Sequence, residues 1–108
     1  MLRKLECLLM PAQLEPLRDM LIKNGVEGMT VSEARGVGTR STIVKGKPQF
    51  EKRVKVEIVI EESMVDRTIR NIKDLVGAGQ MGAGMIFVYP VEDAIRLATR
   101  EAGAQAIV

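Results

Sequence analysis

Arg53-Val54-Lys55-Val56-Glu57-Ile58-Val59-Ile60 is the stretch on which the fold turns. Val54, Val56, Ile58 and Ile60 recur at every second position, with Lys55, Glu57 and Val59 between them. A period of two is that of a strand with one buried face. Upstream, residues 37–52 lose all periodicity and hold Gly38, Gly46 and Pro48 among the basic Arg40, Lys45, Lys47 and Lys52. They read as a long loop, and loops of that length inside a compact domain are usually functional or disordered. Residues 28–35 read as a strand ending in Gly36-Val37-Gly38. Further back, Leu5, Cys7 and Leu9 alternate with Lys4, Glu6 and Leu8, which predicts a strand over 3–10 stopped by Pro11. Leu14, Leu17 and Leu21 then recur at helical spacing, with Pro16 tolerated in the first turn and Asn24-Gly25 as the stop.

Downstream, Ser63 and Asp66 form a capping-box-like pair at the start of a helix whose Val65, Ile69, Ile72 and Val76 share one face. Four glycines follow between Gly77 and Gly84, and a strand over 85–89 is broken by Pro90. Residues 91–100 suit a short helix or strand, and 102–108 read as a frayed tail. Strand, helix, strand, strand, helix, strand is the order of a ferredoxin-like α+β fold. It predicts a four-stranded antiparallel sheet with both helices on one face. The other face carries Lys4, Glu6, Leu8, Lys55, Glu57 and Val59, a mixture that suits either solvent or a subunit interface.

Composition narrows the function. At 108 residues the chain reads as a single domain, and a net charge of +2 makes no demand for nucleic acid. Phe50, Phe87 and Tyr89 are the only aromatics, too few to stack a single strand of bases. There is no His, and Cys7 is alone on an apolar face, so a metal site or a His-activated nucleophile is not expected. No apolar run reaches the length of a membrane span, and Arg3, Lys4 and Glu6 put charge where a signal peptide is apolar. A cytoplasmic protein is the expectation. The dense glycines of Gly77-Ala78-Gly79-Gln80-Met81-Gly82-Ala83-Gly84 suit a turn whose amides cradle a phosphate or carboxylate, with Gly36-Val37-Gly38 as a companion.

Four motifs carry a resemblance. Gly28-Met29-Thr30-Val31-Ser32-Glu33 with Gly36-Val37-Gly38 is similar to the G-M-T-V-[ST]-E-x-x-G-x-G of the PII signal-transduction family, the GlnB/GlnK-like regulators. Arg53-Val54-Lys55-Val56-Glu57-Ile58-Val59 resembles its K-[VT]-K-[IL]-E-[IV]-V strand. Gly79-Gln80-Met81-Gly82-Ala83-Gly84-Met85-Ile86-Phe87-Val88 resembles its G-x-x-G-D-G-K-I-F-V, and Val91-Glu92-Asp93-Ala94-Ile95-Arg96 its V-[ED]-[ED]-A-[IV]-R. The resemblance spans nearly all of 1–108. It implies a non-enzymatic homotrimer with adenine nucleotides in clefts between subunits. It also implies a T-loop over 37–52 that meets a membrane transporter or a cytoplasmic enzyme, a nucleotide-cradling B-loop over 79–84, and a C-terminal segment over 91–108 that closes the site.

On that reading Gly36, Gly38, Gly82, Gly84, Arg96 and Arg100 are the expected nucleotide contacts. Arg40 and Arg53 stand at the T-loop base as receivers of an effector or a small anion such as bicarbonate, since paired guanidinium groups suit oxyanions. Ser41, Thr42, Lys45 and Lys47 are the expected partner-binding residues, with Ser41 and Thr42 also open to modification. No cofactor is obligatory, and the effector is AMP, ADP, ATP or a cyclic form. Departures from the pattern bear on which. Met85 replaces a phosphate-contacting lysine, so one charge-assisted contact of about 1.5–3 kcal/mol is missing. Ala98 replaces the second arginine of R-x-R-T-G, leaving Arg100 two positions on. Ala83 stands for an aspartate, Ala78 for a threonine, and the shortened loop has no Tyr for uridylylation. Arg40 replaces a glutamine that helps hold magnesium and 2-oxoglutarate, and a guanidinium has no lone pair to ligate a metal. Competing expectations are a structural trimer shaped like CutA with a decayed cleft, and an acylphosphatase-like phosphohydrolase.

Overall fold

A computed structural model of the chain describes residues 1–77 and 84–108. Strand β1 (Leu2–Leu9) runs into a 3-10 turn at Pro11–Gln13 and helix α1 (Leu14–Lys23). Strand β2 (Thr30–Gly36) follows, then two short strands, β3 (Ile43–Val44) and β4 (Lys47–Pro48). The long β5 (Glu51–Glu61), helix α2 (Val65–Val76) and strand β6 (Ile86–Val91) complete the body. The four sheet strands lie in the order β2-β5-β1-β6, every neighbour antiparallel. This is the ferredoxin-like arrangement that the periodicities predict.

The alternation in β5 does what the sequence requires of it. Leu5 pairs with Ile58, Cys7 with Val56 and Leu9 with Val54, so the apolar positions of the two central strands share one face. Leu17 and Leu21 of α1 and Ile72 of α2 close onto that face in one buried cluster. Each fully buried aliphatic side chain there contributes about 1.5–3 kcal/mol relative to an exposed one. Cys7 is part of this core, and burial, helped by the neighbouring Glu6 charge, pushes its thiol up to about 11. At neutral pH it is a protonated, apolar filler rather than a nucleophile. Pro16 sits in the first turn of α1, and Gly25 follows the helix end at φ +91°.

Four expectations are corrected. Pro90 lies inside β6, opposite Arg3, and does not end it. Because β6 is an edge strand, the missing N–H of a proline leaves no ladder bond unmade. The segment read as a structureless loop contains the β3–β4 ribbon, and β5 begins at Glu51 rather than after Lys52. Helix α2 is entered through a 3-10 turn at Glu62–Met64, which places Ser63 inside the turn, and no side chain caps either start. The C-terminal tail is not frayed. Ile95 bridges Ala102, a 3-10 turn spans Gly103–Ile107, and Ala106 is buried. Gly103 donates to the Ala94 carbonyl at 3.0 Å and to the Asp93 carboxylate at 3.0 Å, which pins the tail back on the body.

Candidate functional site

The helix-free face of the sheet carries a cleft of about 410 Å³ under the C-terminal segment. Met29, Val59, Ala106 and Ile107 supply its apolar walls, and Thr30, Glu27, Glu57, Lys4 and Arg96 its polar groups. Antiparallel register places Glu6 opposite Glu57, a like-charge pair that costs stability on its own. Lys4 offsets it with an ion pair to Glu57 at 3.2 Å, and its ammonium lies 4.9 Å from the centre of the Tyr89 ring. Arg96 donates through its guanidinium to the Val108 carbonyl at 3.4 Å and through its backbone N–H to Glu101 at 2.9 Å. Arg100 adopts φ +64° and its N–H bonds back to the Arg96 carbonyl at 2.7 Å, a tight turn that sets both arginines on one short segment.

A second cluster lies where the arm, residues 37–50, leaves β2 and β5. The Gly38 N–H bonds to the Ser41 hydroxyl at 2.9 Å and the Ser41 N–H returns to the Gly38 carbonyl at 3.1 Å. Beyond it Ile43 pairs with Pro48 and Val44 with Lys47. The two residues between, Lys45 and Gly46, both have positive φ, at 52° and 77°. That is the type I′ turn, whose twist matches the ribbon it closes. The Glu51 carboxylate takes the Thr42 N–H at 2.9 Å on one oxygen and the Arg53 guanidinium at 2.9 Å on the other. These bonds, the Thr42 amide first, hold its carboxyl below the ordinary glutamate value. Arg40 is exposed on the outer turn.

The third element is Gly84, at φ +54° before β6. A Cβ added there would lie 1.8 Å from the Leu8 carbonyl oxygen and 2.7 Å from its carbon. The backbone approach to β1 therefore requires glycine at 84 whether or not a ligand is present. Gly36 is less constrained, an added Cβ meeting only Arg53 Cγ at 3.5 Å, and Gly38 faces open space. Gly82, like the rest of 78–83, lies outside the described residues. Gly36 ends β2 and Gly84 precedes β6, so these two glycines sit at opposite edges of the sheet. Three inter-strand spacings separate those edges, about 14 Å.

A family model described as nitrogen regulatory protein P-II matches residues 2–101. The chain belongs to the P-II family. The P-II protein of Rhodospirillum rubrum is 37% identical over 98% of this chain and all of its own length. That of Azospirillum brasilense is 36% identical with the same coverage. Among solved structures, the B. subtilis GlnK–ATP complex superposes with a TM-score of 0.84 at 34% identity, covering 97% of this chain and 96% of that one. Arabidopsis thaliana PII bound to citrate gives 0.81 at 35% identity, with 97% and 91% covered.

Within this P-II fold, Arg53 is not a free guanidinium. It is spent on Glu51 and on the Lys52 carbonyl at 2.7 Å. Ser41 and Thr42 have roles in the arm's own turns, while the Lys45 and Lys47 side chains are exposed at its tip. Met85 is exposed beside Gly84, at the mouth of an apolar cleft of about 860 Å³ between α2 and β6. Thr30, Glu57 and Val59 are not among the site residues that the sequence singles out, although all three fall inside the family motifs. Their signal was a charged position alternating with apolar ones on the helix-free face, which by itself fits an exposed sheet equally well.

Proposed function

We propose that this P-II family member is a non-enzymatic regulator, trimeric, that binds an adenine nucleotide in clefts between its copies and reports the bound state through its arm. One observation carries the reading: Gly36 and Gly84 stand on opposite edges of one sheet. Edges about 14 Å apart suit glycines of two neighbouring chains meeting at one ligand. The ATP held by B. subtilis GlnK supports the ligand class. The cleft on the helix-free face suits the base end. Thr30 and Glu57 offer oxygen acceptors for an exocyclic amine, Val59 and Met29 offer apolar surface for a ring, and Arg96 offers a cation toward ribose and phosphate.

The phosphate end is weaker in cations, since Met85 and Ala98 bring none. ADP, AMP or a cyclic form is therefore favoured over ATP relative to a member with both cations. The mixed charges around Glu6, Glu57 and Lys4 suit burial against a second copy. Ser41, Thr42, Lys45 and Lys47 form the surface for a transporter or a cytoplasmic enzyme, with the protein drawn to the membrane in the first case. A small anion at Arg40 and Arg53 is the second effector in this reading, and the citrate complex of Arabidopsis thaliana PII supports its chemical class.

Thermal denaturation with AMP, ADP, ATP and cyclic AMP tests the ligand. A nucleotide present at a hundredfold its dissociation constant should stabilise the protein by about 2.7 kcal/mol. Arg96→Ala should shrink that shift for every nucleotide that produces one. An unchanged midpoint across the whole panel would overturn the nucleotide reading.

A further inference from the structure

The arm has a lock at its base. We infer that Glu51 acts as a built-in carboxylate ligand, filling in cis the oxyanion position made by the Arg53 guanidinium and the Thr42 N–H, so that the arm closes into its ribbon with no bound effector. The inference concerns the geometry of the arm and stands whether or not a nucleotide binds.

Three observations converge. First, the two oxygens of Glu51 are divided between the outgoing side of the arm and β5. One accepts from Thr42, nine residues back on the outgoing side, and the other from Arg53 on its own strand. Second, the bond closes the ribbon where backbone pairing stops. The Gln49 N–H reaches the Thr42 carbonyl at 2.8 Å, while the Thr42 N–H turns to the Glu51 side chain. A carboxylate thus takes over from a backbone acceptor at the last rung. Third, the pair is sheltered by comparison with two of the other ion pairs. Arg53 and Glu51 have side chains 19% and 32% exposed, against 49% and 69% for Arg18–Asp19 and 57% for Glu62 opposite Arg3. Partial shelter and a fixed two-point geometry are what separate an ordering contact from a solvated pair.

The consequence is a competition. A carboxylate or bicarbonate arriving at Arg53 has to displace Glu51, and displacement breaks the link from Thr42 to the β5 side chain that holds the arm shut. Effector binding at that position and arm closure by Glu51 are then mutually exclusive. An empty arm is the ordered one.

Amide exchange followed by NMR on the intact protein tests this, with tryptic cleavage after Arg40 and Lys45 as a second readout. In the wild type, with no anion added, the Thr42 amide should be protected and the arm cut slowly. Glu51→Ala should raise Thr42 exchange about tenfold, the scale of one lost charge-assisted bond, with Val56 in the core unchanged. Added acetate should restore part of the protection in Glu51→Ala and change it little in the wild type, where Glu51 already fills the position. Glu51→Gln, which keeps an acceptor for Thr42 but not the charge for Arg53, should fall between the two. Thr42 exchange that is equal in wild type and both variants would overturn the inference. So would a wild-type arm that becomes protected only when acetate is added.

Discussion

Replacing Gly84 with alanine is expected to cost this protein several kcal/mol. The residue adopts φ +54°, where a Cβ costs about 1–2 kcal/mol for any non-glycine residue. The larger part is steric. The new methyl would overlap the Leu8 carbonyl oxygen at 1.8 Å and its carbon at 2.7 Å, and both atoms are backbone of a central strand. Relief means moving β1 or peeling away β6, where the Leu8 N–H meets the Met85 carbonyl at 2.9 Å. Either movement disturbs the pairing of Cys7 with Ile86. A loss of about 4 kcal/mol would be a large fraction of the 5–15 kcal/mol typical of a domain. Urea denaturation measures it as a fall in midpoint at constant slope. Gly38→Ala is the control, because an added Cβ there meets nothing within 4 Å and should move the midpoint little. Equal midpoints for the two variants would show that the close approach at 84 is not a constraint.

Leu5→Ala is the second large effect. Leu5 is wholly buried, pairs with Ile58 on one side and Val88 on the other, and belongs to the cluster that joins the sheet to both helices. Removing its side chain leaves a cavity that rigid strands on both flanks prevent from collapsing. Leu→Ala changes at such sites cost about 2–5 kcal/mol, and a central strand flanked on both sides argues for the upper half. The matched comparison is Ile22→Ala on α1, where the side chain is 60% exposed and the change should fall within about 0.5 kcal/mol. A Leu5→Ala loss as small as that of Ile22→Ala would contradict the placement of the core.

How much of this was legible depends on whether a signal was local. The period of two in Val54, Val56, Ile58 and Ile60 and the helical spacing of Leu14, Leu17 and Leu21 are backbone periodicities, and they carried the fold. Pro90 misled because its effect depends on whether β6 is an edge, a property of strand order rather than of the proline. The arm is legible as a loop, but its ribbon is not, because β3 and β4 are two residues each, too short for alternation to register. Its one local signal was Lys45-Gly46 between Ile43-Val44 and Lys47-Pro48, a two-residue turn between short runs. The order of the tail leaves no local signal, because Ala106 is a small residue whose burial depends on the distant face of β5. At the candidate site, Gly84 drew notice as a glycine, yet the reason for it, the Leu8 carbonyl, lies across the chain. Arg53 looked available for an anion because nothing in sequence shows that Glu51 turns one oxygen to it and the other to Thr42.

Gly36 and Gly84 also set the decisive test, because one chain holds them about three strand spacings apart. Native mass spectrometry of the purified protein, with and without ADP, reads assembly and occupancy in a single measurement. The proposal predicts a trimer that takes up as many as three nucleotides, one for each contact between neighbouring chains. A monomer, or a trimer that carries no nucleotide at saturating ADP, would contradict it.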